Sequence, residues 1–90
     1  MQTWLVERHL PGITPQGLTE AVIAAKTSTA EMRDEGIDIH YLRSTFLPVA
    51  EKCYCLFEAT TEQEVAEANR RAELPYERIS EAMMLSGDTV

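Results

Sequence analysis

The alternation of apolar and polar residues predicts four β-strands. Successive side chains of a strand point to opposite faces, so an apolar residue at every second position indicates a strand with one buried face. In the first segment Trp4 and Val6 alternate with Leu5 and Glu7, and the segment stops before Pro11. We predict strands at Gln2–His9, 37–46, Lys52–Ala59 and 78–85.

A first helix follows the first strand. Thr14 is a good side-chain cap and Pro15 suits the first helical position, so the helix begins there. Gly36 favours the left-handed conformation that often ends a helix. Thr29 fills a gap in an apolar stripe that recurs at helical spacing. The stripe consists of Leu18, Ala21, Val22, Ala25 and Met32.

A second helix begins at Thr61, because Thr61 and Glu64 have the spacing of a capping box, and Pro75 stops it. Its narrow apolar stripe consists of Val65, Ala68 and Ala72. The order of elements predicts an α+β, ferredoxin-like βαββαβ fold, with two helices on one face of a mainly antiparallel four-stranded sheet. We expect a single domain over residues 1–90, with a frayed tail over 86–90.

Odd-numbered and even-numbered residues of a strand lie on opposite faces of the sheet, so the apolar set on each strand predicts which face the helices cover. The more apolar set is assigned to the helix side: Trp4, Val6, Ile37, Ile39, Tyr41, Cys53, Cys55, Phe57 and Ala59. We call the other side the open face. Its predicted members are Leu5, Glu7, His9, Asp38, His40, Leu42, Tyr54, Leu56 and Glu58.

Ionisable residues of the open face are candidate metal ligands. If the hairpin turn is centred near Pro48, His40 falls across from Glu58. Strands one and three are neighbours in this fold, so Glu7 and His9 are expected beside Glu58. Imidazole and carboxylate together suit borderline divalent ions such as nickel, cobalt or zinc. A neutral imidazole is required, so the affinity is expected to fall at low pH. The candidate ligands are Glu7, His9, Glu58 and His40, with Glu81 as a further possibility.

Leucine and tyrosine side chains are interleaved with these ionisable groups on the open face. A sheet face exposed to solvent usually carries more Lys, Thr and Ser. The mixture therefore predicts that the open face is buried against a second copy of the chain, as in a dimeric α/β barrel. A chain of 90 residues buries little surface alone, which favours the same conclusion.

The charge of the chain limits its partners. The net charge is −7, and a protein that binds a nucleic-acid backbone needs a cationic surface, so we expect no nucleic-acid partner. No apolar run approaches the roughly 20 residues that span a bilayer, so we expect no membrane partner. The N-terminus has no basic region followed by an apolar run, and we therefore predict a cytoplasmic location.

Other chemistry finds less support in the sequence. Cys53 and Cys55 are one residue apart, a spacing that fits neither a bond within an extended strand nor a zinc knuckle, so we expect reduced, buried thiols. Arg8 points away from Glu7, and we expect it to reach round a helix end or to form an ion pair at the strand edge. Met83 and Met84 are expected to pack against other apolar side chains rather than to bind a soft metal ion. There is no glycine-rich phosphate loop or nucleophile elbow.

Three longer strings together resemble a family of small bacterial nickel-binding proteins, which was long grouped only as a domain of unknown function. The strings are WLVERHLPG, YLRSTFLPVAEKCYCLFEA and RRAELPYERISEAMML. The resemblance implies a ferredoxin-like fold, a homodimer and binding of nickel or a related divalent ion, with no organic cofactor. It points to Glu7, His9 and Glu58, whereas His40 comes from the face argument. Leu47 and Pro48 stand where relatives have acidic residues, so if those acids ligate the metal in relatives, the site of this chain is altered or lost.

Three functional hypotheses follow. The first is a dimeric protein that binds nickel or cobalt for sequestration or sensing, without catalysis. The second is an enzyme of the dimeric α/β-barrel type that acts on a small organic molecule, because general acid–base work by paired carboxylates stays open. The third is a structural or regulatory partner with no ligand.

Overall fold

The helices and strands occur in the predicted order. In the computed structural model, which describes residues 1–88, they are β1 (Gln2–His9), α1 (Pro15–Asp34), β2 (His40–Leu47), β3 (Lys52–Ala59), α2 (Glu62–Arg71) and β4 (Arg78–Ala82). The strands form one antiparallel sheet in the order β2-β3-β1-β4. This confirms the α+β, ferredoxin-like βαββαβ fold.

Both helices begin as the sequence predicts. The Thr14 hydroxyl accepts a hydrogen bond from the backbone N–H of Gly17, which caps α1. Thr61 and Glu64 form the predicted capping box at α2. At the other end of α1, Gly36 has φ +89°, a left-handed conformation that glycine adopts without steric cost.

The hydrophobic core lies between the helices and one sheet face. Trp4 and Phe57 pair across β1 and β3 and are both buried on that side, as predicted. Met32 of α1 and Val65 of α2 are fully buried against them. The core therefore fixes which side of the sheet stays open.

The second strand differs from its predicted bounds of 37–46. Ile37 still belongs to the helix end, because its N–H donates to the carbonyl of Met32. The carbonyl of Ile39 accepts from Arg33 Nη1 at 2.8 Å, so the strand begins only at His40. A β-bulge then follows Tyr41 and shifts the register. As a result Arg43, rather than Leu42, lies across from Leu56 on the open face.

The fourth strand is shorter than its predicted range of 78–85. It ends at Ala82, and the next residues are exposed, including Met83 at 82%. The prediction that Met83 and Met84 pack is therefore wrong for the single chain. The predicted frayed tail over 86–90 reaches beyond the described part of the chain, since residues 89 and 90 lie outside it.

Candidate functional site

The open face consists of four rows of side chains that run across the strands. Directly paired residues share a face, so the pairing of β1 with its neighbours defines the rows. In order along β1, the rows are Ala82–Thr3–Glu58–His40, Ser80–Leu5–Leu56–Arg43, Arg78–Glu7–Tyr54–Thr45 and His9–Lys52–Leu47. The candidate ligands therefore occupy the two ends of the face, with leucines between them.

Glu7 and His9 occupy one end. They are two residues apart on β1, with Glu7 partly buried and His9 exposed. Glu7 Oε2 accepts a hydrogen bond from Arg78 Nε at 3.2 Å. Glu77 lies nearby and pairs with Lys52, which is the main cause of the lowered pKa of Glu77; the charge of His9 contributes less. This end carries the imidazole of His9 and the carboxylates of Glu7 and Glu77, but both carboxylates already pair with cationic side chains.

His40 and Glu58 occupy the other end. They face each other across β2 and β3, as the hairpin argument predicts. His40 Nε2 lies 2.7 Å from Asp38 Oδ1, so this imidazole already has a carboxylate partner. The Asp38 carboxylate is a further possible metal ligand at this end. The sequence pattern placed it on the open face, but it was not among the candidate ligands.

The two ends are separate within one chain. Glu58 pairs with Thr3 rather than with Glu7. Four residues of strand divide Thr3 from Glu7, which is about 13 Å. The prediction that Glu7 and His9 lie beside Glu58 is therefore wrong. Among residues 1–88, no group of three His, Cys, Asp or Glu side chains could hold a metal ion. Any site formed by these residues of one chain would therefore need donors from elsewhere, such as water or a second copy.

Glu81 does not join either end. It pairs with Trp4 across β1 and β4. Because paired residues share a face, Glu81 belongs to the helix side of the sheet, at its edge. Its proposed membership of the open face is wrong, since the register of β4 places Arg78 and Ser80 there instead.

A cavity of about 170 Å³ lies on the helix side of the sheet, between the sheet and α1. Its walls are mostly apolar, and they include Val22 and Ala25 of α1 and Phe46 of β2. Arg8 also lines this cavity and is only 1% exposed. The edge ion pair predicted for Arg8 does not occur among residues 1–88, because its parity with Trp4 and Val6 turns it inward. Its guanidinium instead reaches the segment just beyond the end of α2, at Pro75.

Arg8 is poorly satisfied for a buried cation. Nη1 donates to the carbonyl of Pro75 at 3.3 Å, and Nη2 has no hydrogen-bond partner among the described residues. No carboxylate of residues 1–88 forms an ion pair with it. The sequence contained a clue, since strict alternation from Trp4 requires residue 8 to face inward.

A chain of polar side chains ends at Cys55 beside the same cavity. The Ser44 hydroxyl donates to Cys55 Sγ at 2.9 Å, so the Tyr41 hydroxyl, 2.6 Å away, donates to Ser44. The two thiols are free and buried, as expected, with Sγ atoms 3.8 Å apart. The hydrogen bond from Cys53 lowers the pKa of Cys55, and the charge of Arg8 and the Ser44 hydroxyl lower it further. The same contact raises the pKa of Cys53.

In the described part of the chain, residues 1–88, no helix is long and apolar enough to cross a membrane. A comparison with curated proteins finds no match. Among solved structures, the chain is similar to the crystal structure of SCO4226 from Streptomyces coelicolor A3(2), with a TM-score of 0.76 and 24% identity. The similarity covers 93% of this chain and 99% of that chain, and at this identity it shows the fold.

A family model described as nickel responsive protein SCO4226-like matches residues 4–82. The match includes both helices, strands β2 to β4 and all but the first two residues of β1. It confirms the resemblance that the three sequence strings indicated. The chain therefore belongs to the family of SCO4226-like nickel responsive proteins.

Proposed function

We propose that this chain binds a divalent transition-metal ion, nickel or cobalt, as a homodimer, and that it sequesters or senses the ion without catalysis. The observation that carries the proposal is membership in a family described as nickel responsive. The placement of one imidazole and nearby carboxylates at each end of the open face supports it. A cytoplasmic location stays a prediction.

The ligand chemistry favours nickel or cobalt over harder ions. Imidazole nitrogen suits Ni²⁺, Co²⁺ and Zn²⁺, whereas a site built only from carboxylates would favour Mg²⁺ or Ca²⁺. Glu7 and His9 would donate from one end of the face, and Glu58 and His40 from the other. Since these pairs are far apart in one chain, each needs further donors. We propose that a second copy or water supplies them.

Dimerisation through the open face is part of this proposal. The second row carries Leu5 and Leu56, which are only partly buried in the single chain. Apolar side chains flanked by polar ends are typical of a protein interface. In an isologous dimer each surface patch meets the same patch of the other copy. A twofold axis across the strands would place the His40 end of one copy opposite the His9 end of the other.

Titration of the metal-free protein with nickel chloride by isothermal calorimetry tests the metal proposal. We expect binding at about pH 7.5 that weakens at about pH 5.5, because protonated imidazole cannot ligate. Replacing Glu7 and His9 together by alanine, or Glu58 and His40 together, is expected to reduce the affinity at least tenfold. The control is Glu20→Gln on α1, which removes one exposed carboxylate elsewhere.

The two double variants also locate the site. If both reduce the affinity, the ends meet across the dimer. If one does, a single end holds the ion with water. Nickel binding that is independent of pH, or unchanged in both double variants, would contradict the proposal.

A second candidate is binding of a small organic molecule, and the cavity between sheet and α1 favours it. A closed, mostly apolar cavity there is what the enzyme hypothesis requires. The third hypothesis, a partner protein without a ligand, gains some support from the ion pair of Glu7 with Arg78. A dimeric protein that binds no nickel would favour this third hypothesis.

A further inference from the structure

A buried arginine with an unused hydrogen-bond donor needs an anion close to it. Arg8 is 1% exposed, and its Nη2 has no hydrogen-bond partner among the described residues. Removing a cation from water is unfavourable unless charges or hydrogen bonds compensate the lost hydration. A leucine or methionine would fill this position more favourably if the charge had no use. The guanidinium therefore indicates a ligand site rather than a packing role.

The space beside Arg8 has the size and surface of a small ligand site. The cavity that Arg8 lines has a volume of about 170 Å³. An engineered cavity of about 150 Å³ with apolar walls is known to hold benzene. Here the walls come from the apolar stripe of α1 and from strands β2 and β3. The apolar walls fit a ring or a short hydrocarbon chain, and Arg8 supplies one point of positive charge.

We propose that this cavity binds a small monocarboxylate with an apolar body, held by the Arg8 guanidinium. A guanidinium presents two parallel N–H donors that match the two oxygens of a carboxylate. The carboxylate would satisfy Nη2, and the apolar body would fill the space against Val22 and Ala25. A phosphate ester or dianion fits less well, because the described walls offer no second cation.

Cys55 is the competing anion. Its thiol is buried, accepts a hydrogen bond from Ser44, lies 3.8 Å from the thiol of Cys53, and is within hydrogen-bonding reach of Arg8. A thiolate there would neutralise part of the charge of Arg8. It does not remove the unpartnered Nη2, and it does not fill the cavity. The proposal is therefore that the carboxylate of the ligand, rather than a thiolate, is the anion that pairs with Nη2.

This site is independent of the proposed metal ligands, because Arg8 faces the helices whereas Glu7 and His9 face the open side. The test is titration of the metal-free protein with sodium benzoate, observed by changes in amide NMR shifts. Benzamide, which has the same shape without the charge, is the matched ligand. We expect saturable shifts around the cavity with benzoate, and at least tenfold weaker binding of benzamide.

Two variants separate the charge from the shape of the cavity. Arg8→Met is expected to keep the fold, since apolar replacement of a buried charge is often neutral or stabilising, and to lose the preference for benzoate over benzamide. Ala21→Leu, at the half-buried rim, keeps Arg8 and is expected to block both ligands. If Arg8→Met does not fold, Ala21→Leu and the benzamide comparison still decide the question.

Three results would overturn the proposal. One is benzoate that causes no saturable shifts. Another is equal affinity for benzoate and benzamide in the unmodified protein, which would mean that Arg8 does not contact the ligand. The third is benzoate binding only after Cys55→Ala, which would mean that the thiolate already satisfies Arg8. Added nickel is expected to leave benzoate binding unchanged.

Discussion

Cys55 accepts hydrogen bonds on the helix side of the sheet from a hydroxyl and from a thiol. Ser44 donates at 2.9 Å, and Cys53, whose Sγ lies 3.8 Å away, donates to the ionised form of Cys55. Hydrogen bonds to the charged form of a group favour that form, which is why the pKa of Cys55 is lowered. Burial opposes this effect, but the charge of Arg8 adds to it. A buried thiol here is therefore more easily ionised than an ordinary one.

Replacing Cys53 tests this arrangement at a single residue. Cys53→Ala removes the main donor and is expected to raise the pKa of Cys55. Cys53→Ser keeps a hydroxyl donor and is the matched control, in which the pKa should stay low. Each variant has one thiol, so the ultraviolet absorbance of the thiolate against pH reports Cys55 alone. The same titration curve in both variants would show that Cys53 does not control the thiol.

Glu67 is the centre of an ionic cluster that joins the two helices. Its carboxylate accepts from Arg70 and Arg71, and Arg71 also pairs with Glu35 of the α1 end. The hydrogen bonds from Arg70 and Arg71 lower the pKa of Glu67 to about 2. The unfolded value is about 4.3. A depressed pKa contributes stability above the unfolded value, and this contribution is lost as the pH falls toward 2.

We therefore expect the free energy of unfolding of Glu67→Gln to fall less between about pH 4.5 and pH 2 than that of the unmodified protein. Urea denaturation at several pH values measures the effect. Glu20→Gln is the control, because the Glu20 side chain accepts a hydrogen bond from Gln16 in the same helix and forms no ion pair within residues 1–88. The expectation fails if both variants keep the slope of the unmodified protein. Because the cluster is exposed to solvent, the difference should also shrink as salt is added.

At the scale of elements, the end of α1 depends on a left-handed residue. Gly36 has φ +89°, and its N–H donates to the carbonyl of Arg33. A Cβ at this position would meet no atom within 4 Å, so any cost of a substitution lies in the backbone. Gly36→Ala is expected to reduce the free energy of unfolding by about 1 kcal/mol, measured by urea denaturation. Gly87→Ala, also without nearby atoms but without a positive φ, should have no effect.

The sequence predicted the elements better than the pairing between them. Counting back from a short turn near Pro48 placed His40 across from Glu58, which is correct. The pairs next to the turn are one residue out of that register, and the bulge after Tyr41 restores it. Strands β1 and β3 are joined through a helix and another strand, so no local turn fixes their register. The alternation of apolar residues correctly placed Trp4 of β1 and Phe57 of β3 on the same face of the sheet, and both are buried. It could not show that Thr3, rather than Glu7, lies beside Glu58.

The cavity was missed for a different reason. Parity along β1 placed residue 8 with Trp4 and Val6, but its charge argued against a buried position. The bulge after Tyr41 is also invisible in a pattern of alternation, and it turns Ser44 toward Cys55. Two local exceptions to simple rules, a buried cation and an extra residue, thus create the polar part of the cavity. Such exceptions are typical of functional positions.

At the scale of the whole molecule, the two sides of the sheet have different consequences. One side is closed by the helices and contains the Arg8 cavity. The other carries a leucine row between two ionisable ends. A small domain that leaves one sheet face uncovered exposes apolar area that a second copy would bury. Dimerisation and metal binding would therefore depend on the same surface, whereas carboxylate binding would not.

Leu56→Glu tests the proposed dimer surface. Leu56 lies in the second row across from Arg43, so a glutamate there is tolerated within one chain, whereas a dimer would bury it. We expect light scattering to give twice the chain mass for the unmodified protein and a single chain mass for this variant. Ile23→Glu is the control, because Ile23 is 57% exposed on α1 and adds the same charge away from the open face. A monomer before mutation would contradict the proposed dimer, and a dimer that survives Leu56→Glu would place its interface outside the open face. If nickel affinity falls together with the dimer in Leu56→Glu, donors from both copies are required, because this variant leaves every candidate ligand in place.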